Sequence, residues 1–338
     1  MHQIDLKKYS IRTDLAIEEL ERNKLLKDKK KEITKYHGIK VNNFNISKEE
    51  GKIINKKSGM YTTIFFNDTT DSDNQKNICH VLVKELSKYL TNLKKDDLVL
   101  VVGLGNILST PDSLGPKVID NITVTNHLYE LNLCLPNYQR VAAISPSVTG
   151  KTGIETFLQV KSIVDFLKPK LVIAIDSLAS SSVERVNKTI QITNTGINPG
   201  SGIGNSRKEI SQKTLSVPVI AIGVPTVVDA SSIVFDTINY MHKKYSFSKY
   251  GLQNKKYLLT YNNVNYLNED IKVNDKDKEI LLGLVGKLNN DELKNLINEV
   301  LSPIGYNLMV TTKEIDFIID NLVNIISKSI NKIFGKFC

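Results

Sequence analysis

An open α/β sheet, mostly parallel and with helices on both faces, is the fold that the sequence predicts. Three observations carry that prediction. Four short runs, "LVLVVG" (98–103), "VAAI" (141–144), "LVIAID" (171–176) and "VPVIAIG" (217–223), are continuously apolar and rich in Val and Ile. Such runs suit strands buried on both faces, as parallel strands are. Helical patterns lie between and after them, which gives the strand–helix alternation of a layered α/β domain. The chain has 338 residues, 41% of them hydrophobic, enough for a sizeable core; length alone suggests about two domains, though α/β units can run this long as one.

The remaining elements follow in chain order. Residues 14–33 predict a charged helix capped by Thr13 or Asp14. Residues 38–70 alternate weakly and predict added edge strands, "MYTTIFF" (60–66) being the clearest. Residues 76–92 place Ile78, Leu82, Leu86 and Tyr89 at helical spacing. Residues 155–168 predict a helix opened by Thr152 and Glu155 in capping-box spacing, and 229–244 another after the last apolar run. Residues 245–277, rich in Lys, Asn, Asp and Tyr, predict a polar surface excursion. The stretch 278–335 predicts C-terminal helices, the last from about Thr312, with Thr311 and Glu314 again in capping-box spacing.

Composition narrows the function classes. No run reaches the roughly 18 apolar residues of a membrane span, and the N-terminus lacks the apolar segment of a signal peptide. The expectation is a soluble intracellular protein with no membrane partner. Cys79, Cys134 and Cys338 are far apart and form no CxxC pair, so neither a zinc knuckle nor a disulfide framework is indicated. The net charge of +9 is spread over dispersed lysines rather than gathered into a stripe with aromatics. A solvated basic surface is the reading, with a DNA-associated binding protein as the alternative.

Ligands of open α/β sheets bind beyond the carboxyl ends of the strands. Asp176 follows "LVIAI" directly. Asp112 follows "LVLVV" through Gly103, Gly105 and Asn106, in a turn stiffened by Pro111 and Pro116. Two acids at one sheet edge suggest a shared carboxylate site. An Asp in "TPDSLGP" also serves as a turn or N-cap residue, and Asp229 reads more readily as an N-cap. The run "NTGINPGSGIGNSR" (194–207) supplies Gly196, Gly200, Ser201, Gly202 and Gly204, whose backbone N–H groups could face a peptide carbonyl or an oxyanion. No GxSxG, HExxH or GxxxxGK[ST] occurs, and in "GLGNIL" Leu108 stands where a dinucleotide site needs its third glycine. No cofactor is implied. His127 is the histidine that could join a site near Asp112, which keeps a metal-assisted peptidase open as an alternative.

Seven segments, "YSIRTDLAIE" (9–18), "GLGN…TPDSLGP" (103–116), "SVTGKTGIET" (147–156), "IAIDSLAS" (173–180), "NTGINPGSGIGNSR" (194–207), "IGVPTVVDA" (222–230) and "PIGYNLMVTTKEID" (303–316), together resemble the germination proteases of endospore-forming bacteria. The resemblance is collinear from residue 9 to about 325. It implies a fold similar to the hydrogenase-maturation proteases. It also implies an endopeptidase of the forespore and spore core that degrades small acid-soluble spore proteins during germination, without binding nucleic acid itself. It further implies a homotetramer, made as a zymogen that removes its own N-terminal segment. Its motifs place the two central aspartates at Asp112 and Asp176. Residues 1–14 would then be a propeptide and 15–338 a single peptidase domain. The cut is expected between Asp14 and Leu15, where "DLA" supplies an acid, a bulky apolar residue and alanine in succession.

Overall fold

The computed structural model describes residues 13–23, 32–133, 137–199, 208–251, 274–301 and 308–335. In chain order its elements are α1 (Ala16–Arg22), β1 (Glu32–Tyr36), β2 (Ile39–Ile46), α2 (Lys48–Ile54), β3 (Gly59–Phe65), α3 (Ser72–Ser87), β4 (Val99–Gly103), a 3-10 turn (Thr110–Asp112), α4 (Leu114–Ile119), α5 (Asn126–Glu130) and β5 (Val141–Ile144). They continue with α6 (Thr149–Thr152), α7 (Thr156–Leu167), β6 (Leu171–Ser180), β7 (Thr189–Thr193), α8 (Gln212–Leu215), β8 (Val219–Asp229), α9 (Ala230–Ser246), α10 (Asp275–Leu282), α11 (Asn290–Leu301), β9 (Met309–Val310) and α12 (Ile315–Phe334). The chain divides into two compact units. One is formed by Thr13–Ser180, Glu184–Val227 and the chain from Thr311 onward; the other contains Ser181–Val183 and Val228–Val310.

The first unit is built on an open sheet in the order β1-β2-β3-β7-β8-β6-β4-β5. β4 runs parallel to both β5 and β6, the arrangement expected of the apolar runs. The edge strands β1, β2 and β3 are antiparallel to their neighbours and join the sheet through β7. β1 and β2 are linked by His37 and Gly38, both at positive φ (48° and 82°). That backbone suits a two-residue hairpin turn matched to strand twist.

Alternation along the strands separates two helical layers. Val99 and Val101 of β4, with Ile173 and Ile175 of β6, pack under α3, α4 and α12 through Leu82, Leu86, Leu114, Val118, Ile319 and Leu322. Leu100, Val102, Val172 and Ala174 face the other way, against Phe157, Val160 and Val164 of α7 and Leu215 of α8. A third cluster gathers Leu15, Ile17 and Leu20 around Phe44, Ile46, Tyr61 and Leu178. Burying each such side chain fully contributes about 1.5–3 kcal/mol. Strands covered on both faces must be apolar throughout, which is why these runs were legible in the sequence.

The second unit is helical. α9 packs against α10 and α11. Lys249 pairs with the buried Asp277 at 2.5 Å, and His242 Nε2 lies 3.1 Å from the Asn274 carbonyl. Val228 and Asp229 pair with Val310 and Met309.

Several local expectations are corrected. The first helix begins at Ala16, with Leu15 extended before it, and neither Thr13 nor Asp14 caps it. Thr13 Oγ1 instead accepts from Leu15 N at 3.0 Å, closing a tight turn. Neither expected capping box forms in the long helices. Thr311 Oγ1 donates to the Thr226 carbonyl at 2.7 Å, so α12 starts at Ile315. Thr152 closes α6, and Glu155 Oε1 accepts from Lys208 N at 3.1 Å, so α7 starts at Thr156. Thr13 and Thr152 are taken by other local turns, and Glu155 and Thr311 by partners far along the chain. β7, "TIQIT", was missed, although its strict alternation is a strand signal.

Glycine at 115 is required by a close backbone approach. A Cβ there would sit 2.2 Å from the Leu104 carbonyl oxygen and 2.7 Å from that of Ile175, whereas one at Gly150 would meet nothing within 4 Å. Gly115→Ala should therefore cost about 1–3 kcal/mol through overpacking, and Gly150→Ala almost nothing. Paired thermal melts check this; equal melting temperatures would contradict it.

Candidate active site

β4 and β6 pair as far as Gly103 and Ile175, after which β4 leaves the sheet and β6 continues to Ser180. Asp176 is therefore the first residue of β6 beyond its ladder with β4. The sequence placed it at a strand end; the strand runs on, and the edge is created by the departure of its neighbour. Asp176 is 5% exposed, and its Oδ1 accepts from Ser177 N at 2.9 Å. Its side chain follows Val172 and Ala174 on the α7 face by alternation.

Asp112 is held at the same break by a folded loop. Leu104 N donates to the Ile175 carbonyl at 2.8 Å, one residue before Asp176. Asn106 N donates to the Asp112 carbonyl at 3.0 Å, and Asp112 N to the Ser109 carbonyl at 2.8 Å. Ser113 Oγ donates to Thr110 O at 2.8 Å, and Asn106 Oδ1 accepts from Leu108 N at 3.1 Å. Gly105 has φ +116°, and a Cβ on it would lie 2.1 Å from Asp112 O and 3.1 Å from Oδ1. The Asp112 carboxylate thus lies over Gly105. The 3-10 turn that carries it packs against β6. The structure brings the two predicted aspartates to one break in the sheet, on segments tied by the Leu104–Ile175 hydrogen bond.

Of the Gly-rich run, Gly200, Ser201, Gly202 and Gly204 lie outside the described residues. Its two feet are described. Gly196 has φ +82°, and a Cβ there would lie 2.3 Å from the Ile210 carbonyl oxygen. Ile197 and Ile210 exchange backbone hydrogen bonds of 2.9 and 2.8 Å. Ile197 packs against both the α7 and α1 clusters, on the face that carries Asp176. The far foot is tied by Lys208 Nζ, 4.4 Å from the Phe157 ring centroid, and by Glu209, 2.6 Å from Lys57 Nζ. Burial pushes the Glu209 carboxyl up, but hydrogen bonds from Lys57 and Ser211 outweigh it and hold it below its ordinary value.

The Asp14–Leu15 bond is extended and packed against β6. Asp14 N donates to the Ala179 carbonyl at 3.0 Å, and Ala179 N donates to Asp14 Oδ2 at 2.8 Å. Gln191 reaches it from β7: its Nε2 lies 3.4 Å from Asp14 O, and its Oε1 accepts from Ala16 N at 2.8 Å. Lys56 Nζ donates to Thr13 O at 2.8 Å. Lys56 and Gln191 were not singled out from sequence, and for Lys56 no sequence signal exists.

Other candidates fall elsewhere. Asp229 caps α9, accepting from Ser231 N at 2.8 Å, as its N-cap reading expected. His127 lies exposed on α5. Thr125, two residues before it, bonds to Val141 at the start of β5, which puts His127 at the amino edge of the sheet, opposite Asp112. The expectation that it could join that site is corrected: α5 packs back toward the strand's beginning. Among the described residues no group of three or more His, Cys, Asp or Glu could hold a metal ion. Nor is any described helix long and apolar enough to cross a membrane.

Asp112 and Asp176 thus stand beside one break in an open α/β sheet, the kind of place where such folds bind ligands. Comparison with known proteins makes the class a peptidase. The germination protease family model matches residues 8–336. The germination protease of Bacillus subtilis (strain 168) is 42% identical over 347 residues, covering 97% of this chain and 94% of that one. That of Priestia megaterium is 41% identical over 355 residues, covering 97% and 95%. The chain belongs to the germination protease family. Among solved structures, the [NiFe] hydrogenase maturation protease HycI from Thermococcus kodakarensis matches 42% of this chain and 80% of its own, at 15% identity and a TM-score of 0.28.

Asp229→Ala should cost about 1 kcal/mol of stability, the worth of an N-cap, with no direct effect on peptidase chemistry. His127→Ala should leave both unchanged. Melting curves with a peptidase assay check the pair; loss of activity in His127→Ala would contradict the placement of the site.

Proposed function

We propose that this protease degrades small acid-soluble spore proteins during germination. In this reading it acts in the spore core as a homotetramer, without a cofactor, after removing its own residues 1–14. The observation that carries the reading is the placement of Asp112 and Asp176 at the one point where β4 parts from β6, in a chain matched to germination proteases along nearly its whole length.

The chemistry follows from two carboxylates in one site. One, ionised, takes a proton from water as that water attacks the scissile carbonyl. The other, protonated, gives its proton to the departing nitrogen. Neighbouring carboxylates resist double ionisation, so a shared proton supplies both roles at once. The oxyanion role is assigned to backbone N–H groups of the Gly-rich run, on the ground that its described feet, Ile197 and Ile210, pair on the Asp176 face. Self-processing uses the same chemistry at Asp14–Leu15. That bond is held in extended backbone with Leu15 fully buried, so it must be released before water reaches it.

Asp112→Asn and Asp176→Asn should each abolish cleavage of a small acid-soluble spore protein while keeping the fold. Groups that act as a unit are non-additive, so the double variant should be scarcely slower than either single one. Activity within about tenfold of the parent in either variant, about 1.4 kcal/mol of barrier, would overturn the assignment. Activity lost in a chelator and restored by one divalent metal would overturn the metal-free mechanism.

A further inference from the structure

The segment Thr13–Ala16 is held by a set of groups that reads its sequence. The acid Asp14 meets the N–H and C=O of Ala179, and Lys56 grips the preceding carbonyl. Leu15 and Ala16 are fully buried, Leu15 among Phe44, Ile46, Ile54, Tyr61 and Leu178. Gln191 spans the junction, with its amide nitrogen toward Asp14 O and its amide oxygen on Ala16 N. Lys56 itself is rigidly placed. Asn55, at φ 52°, ends α2 in the left-handed region, and Lys56 N closes onto the Gly51 carbonyl at 3.0 Å. A Cβ on Gly51 would lie 2.4 Å from Lys56 O, so only glycine admits this turn. Burial pushes the Lys56 ammonium down, and Asp14 is the foremost of the carboxylates that oppose the shift. Glu19 and Glu18 oppose it as well, so Asp14 is one of three carboxylates that support this cation.

Cutting the Asp14–Leu15 bond changes that balance. Hydrolysis consumes one water and leaves an α-carboxylate on Asp14, which departs with residues 1–14, and an α-ammonium on Leu15. One negative charge is removed beside Lys56 and one positive charge is added. The Ala179 N–H loses its acceptor, and the Lys56 Nζ loses the Thr13 carbonyl.

We propose that processing thereby creates a carboxylate-binding pocket, formed by Lys56 Nζ, the Ala179 N–H and the new Leu15 ammonium, that takes the acidic side chain of a peptide substrate. The inference rests on the proposed self-processing and names the residues that would select the acid. Ala179 lies three positions beyond Asp176 on the same strand, a span of about 10 Å. The pocket therefore lies on the strand that carries Asp176. Before processing, Asp14 fills it, so an unprocessed chain cannot recognise substrate through it.

The test compares two peptides, one with an acid–apolar–Ala cleavage site and one with Gln in place of the acid, on chain that has removed residues 1–14 by itself. The processed parent should cleave the acidic peptide at least ~30-fold better in kcat/KM, about 2 kcal/mol of discrimination. Lys56→Gln should shrink this to below ~3-fold, chiefly by raising KM for the acidic peptide. Lys56→Arg should keep the preference. Full discrimination in Lys56→Gln would overturn the pocket, as would a processed parent that cuts both peptides equally, a result independent of how any variant folds. A parent whose intact mass still includes residues 1–14 while it degrades the acidic peptide overturns the processing on which the pocket rests, and the mass distinguishes that outcome from the others.

Discussion

The hydrogen bond from Leu104 N to the Ile175 carbonyl is the constraint on which the site depends. It is the last tie between β4 and β6 before the strands separate. On one side of it β6 carries Asp176 onward; on the other the chain turns through Gly105 to bring back Asp112. The approach is close enough that Gly103, Gly105 and Gly115 each face backbone within 2.3 Å of where a Cβ would stand. Three glycines and two prolines in fourteen residues are thus the covalent cost of setting one carboxylate against another segment's end.

That arrangement requires a rigid base. The same strands that carry the site are buried on both faces, with α3, α4 and α12 on one side and α7, α8 and α1 on the other. The antiparallel extension through β7 and β3 does more than widen the sheet. It brings Gln191 and the α2 turn with Lys56 to the segment that joins β6 at Ala179. The parallel part of the sheet holds the carboxylates, and the antiparallel part holds the junction that the proposed processing cuts.

How much was legible from sequence follows from which forces were local. Doubly buried strands announce themselves as unbroken apolar runs, so β4, β6 and β8 were recognised, and the partly buried edge strand β5 was found by the same apolar composition. The placement of Asp112 and Asp176 followed from the rule that such strands point their carboxyl ends at ligands. Caps were read less well. Thr13, Thr152 and Thr311 each carry a capping residue type, yet each hydroxyl has another partner nearby. Lys56 was invisible because its role depends on a contact with residue 13, forty-three positions away, that no spacing encodes. His127 was misjudged because a loop's return direction is set by Thr125 pairing with Val141, which sequence alone does not show.

The most direct test of the paired-carboxylate account is a crystal structure of the processed chain with a peptide whose scissile amide is replaced by a non-hydrolysable hydroxyethylene group. The account predicts that the hydroxyl, standing in for the attacking water, is hydrogen-bonded to the carboxylates of both Asp112 and Asp176. A peptide seated elsewhere, or a hydroxyl in contact with neither aspartate, would contradict it.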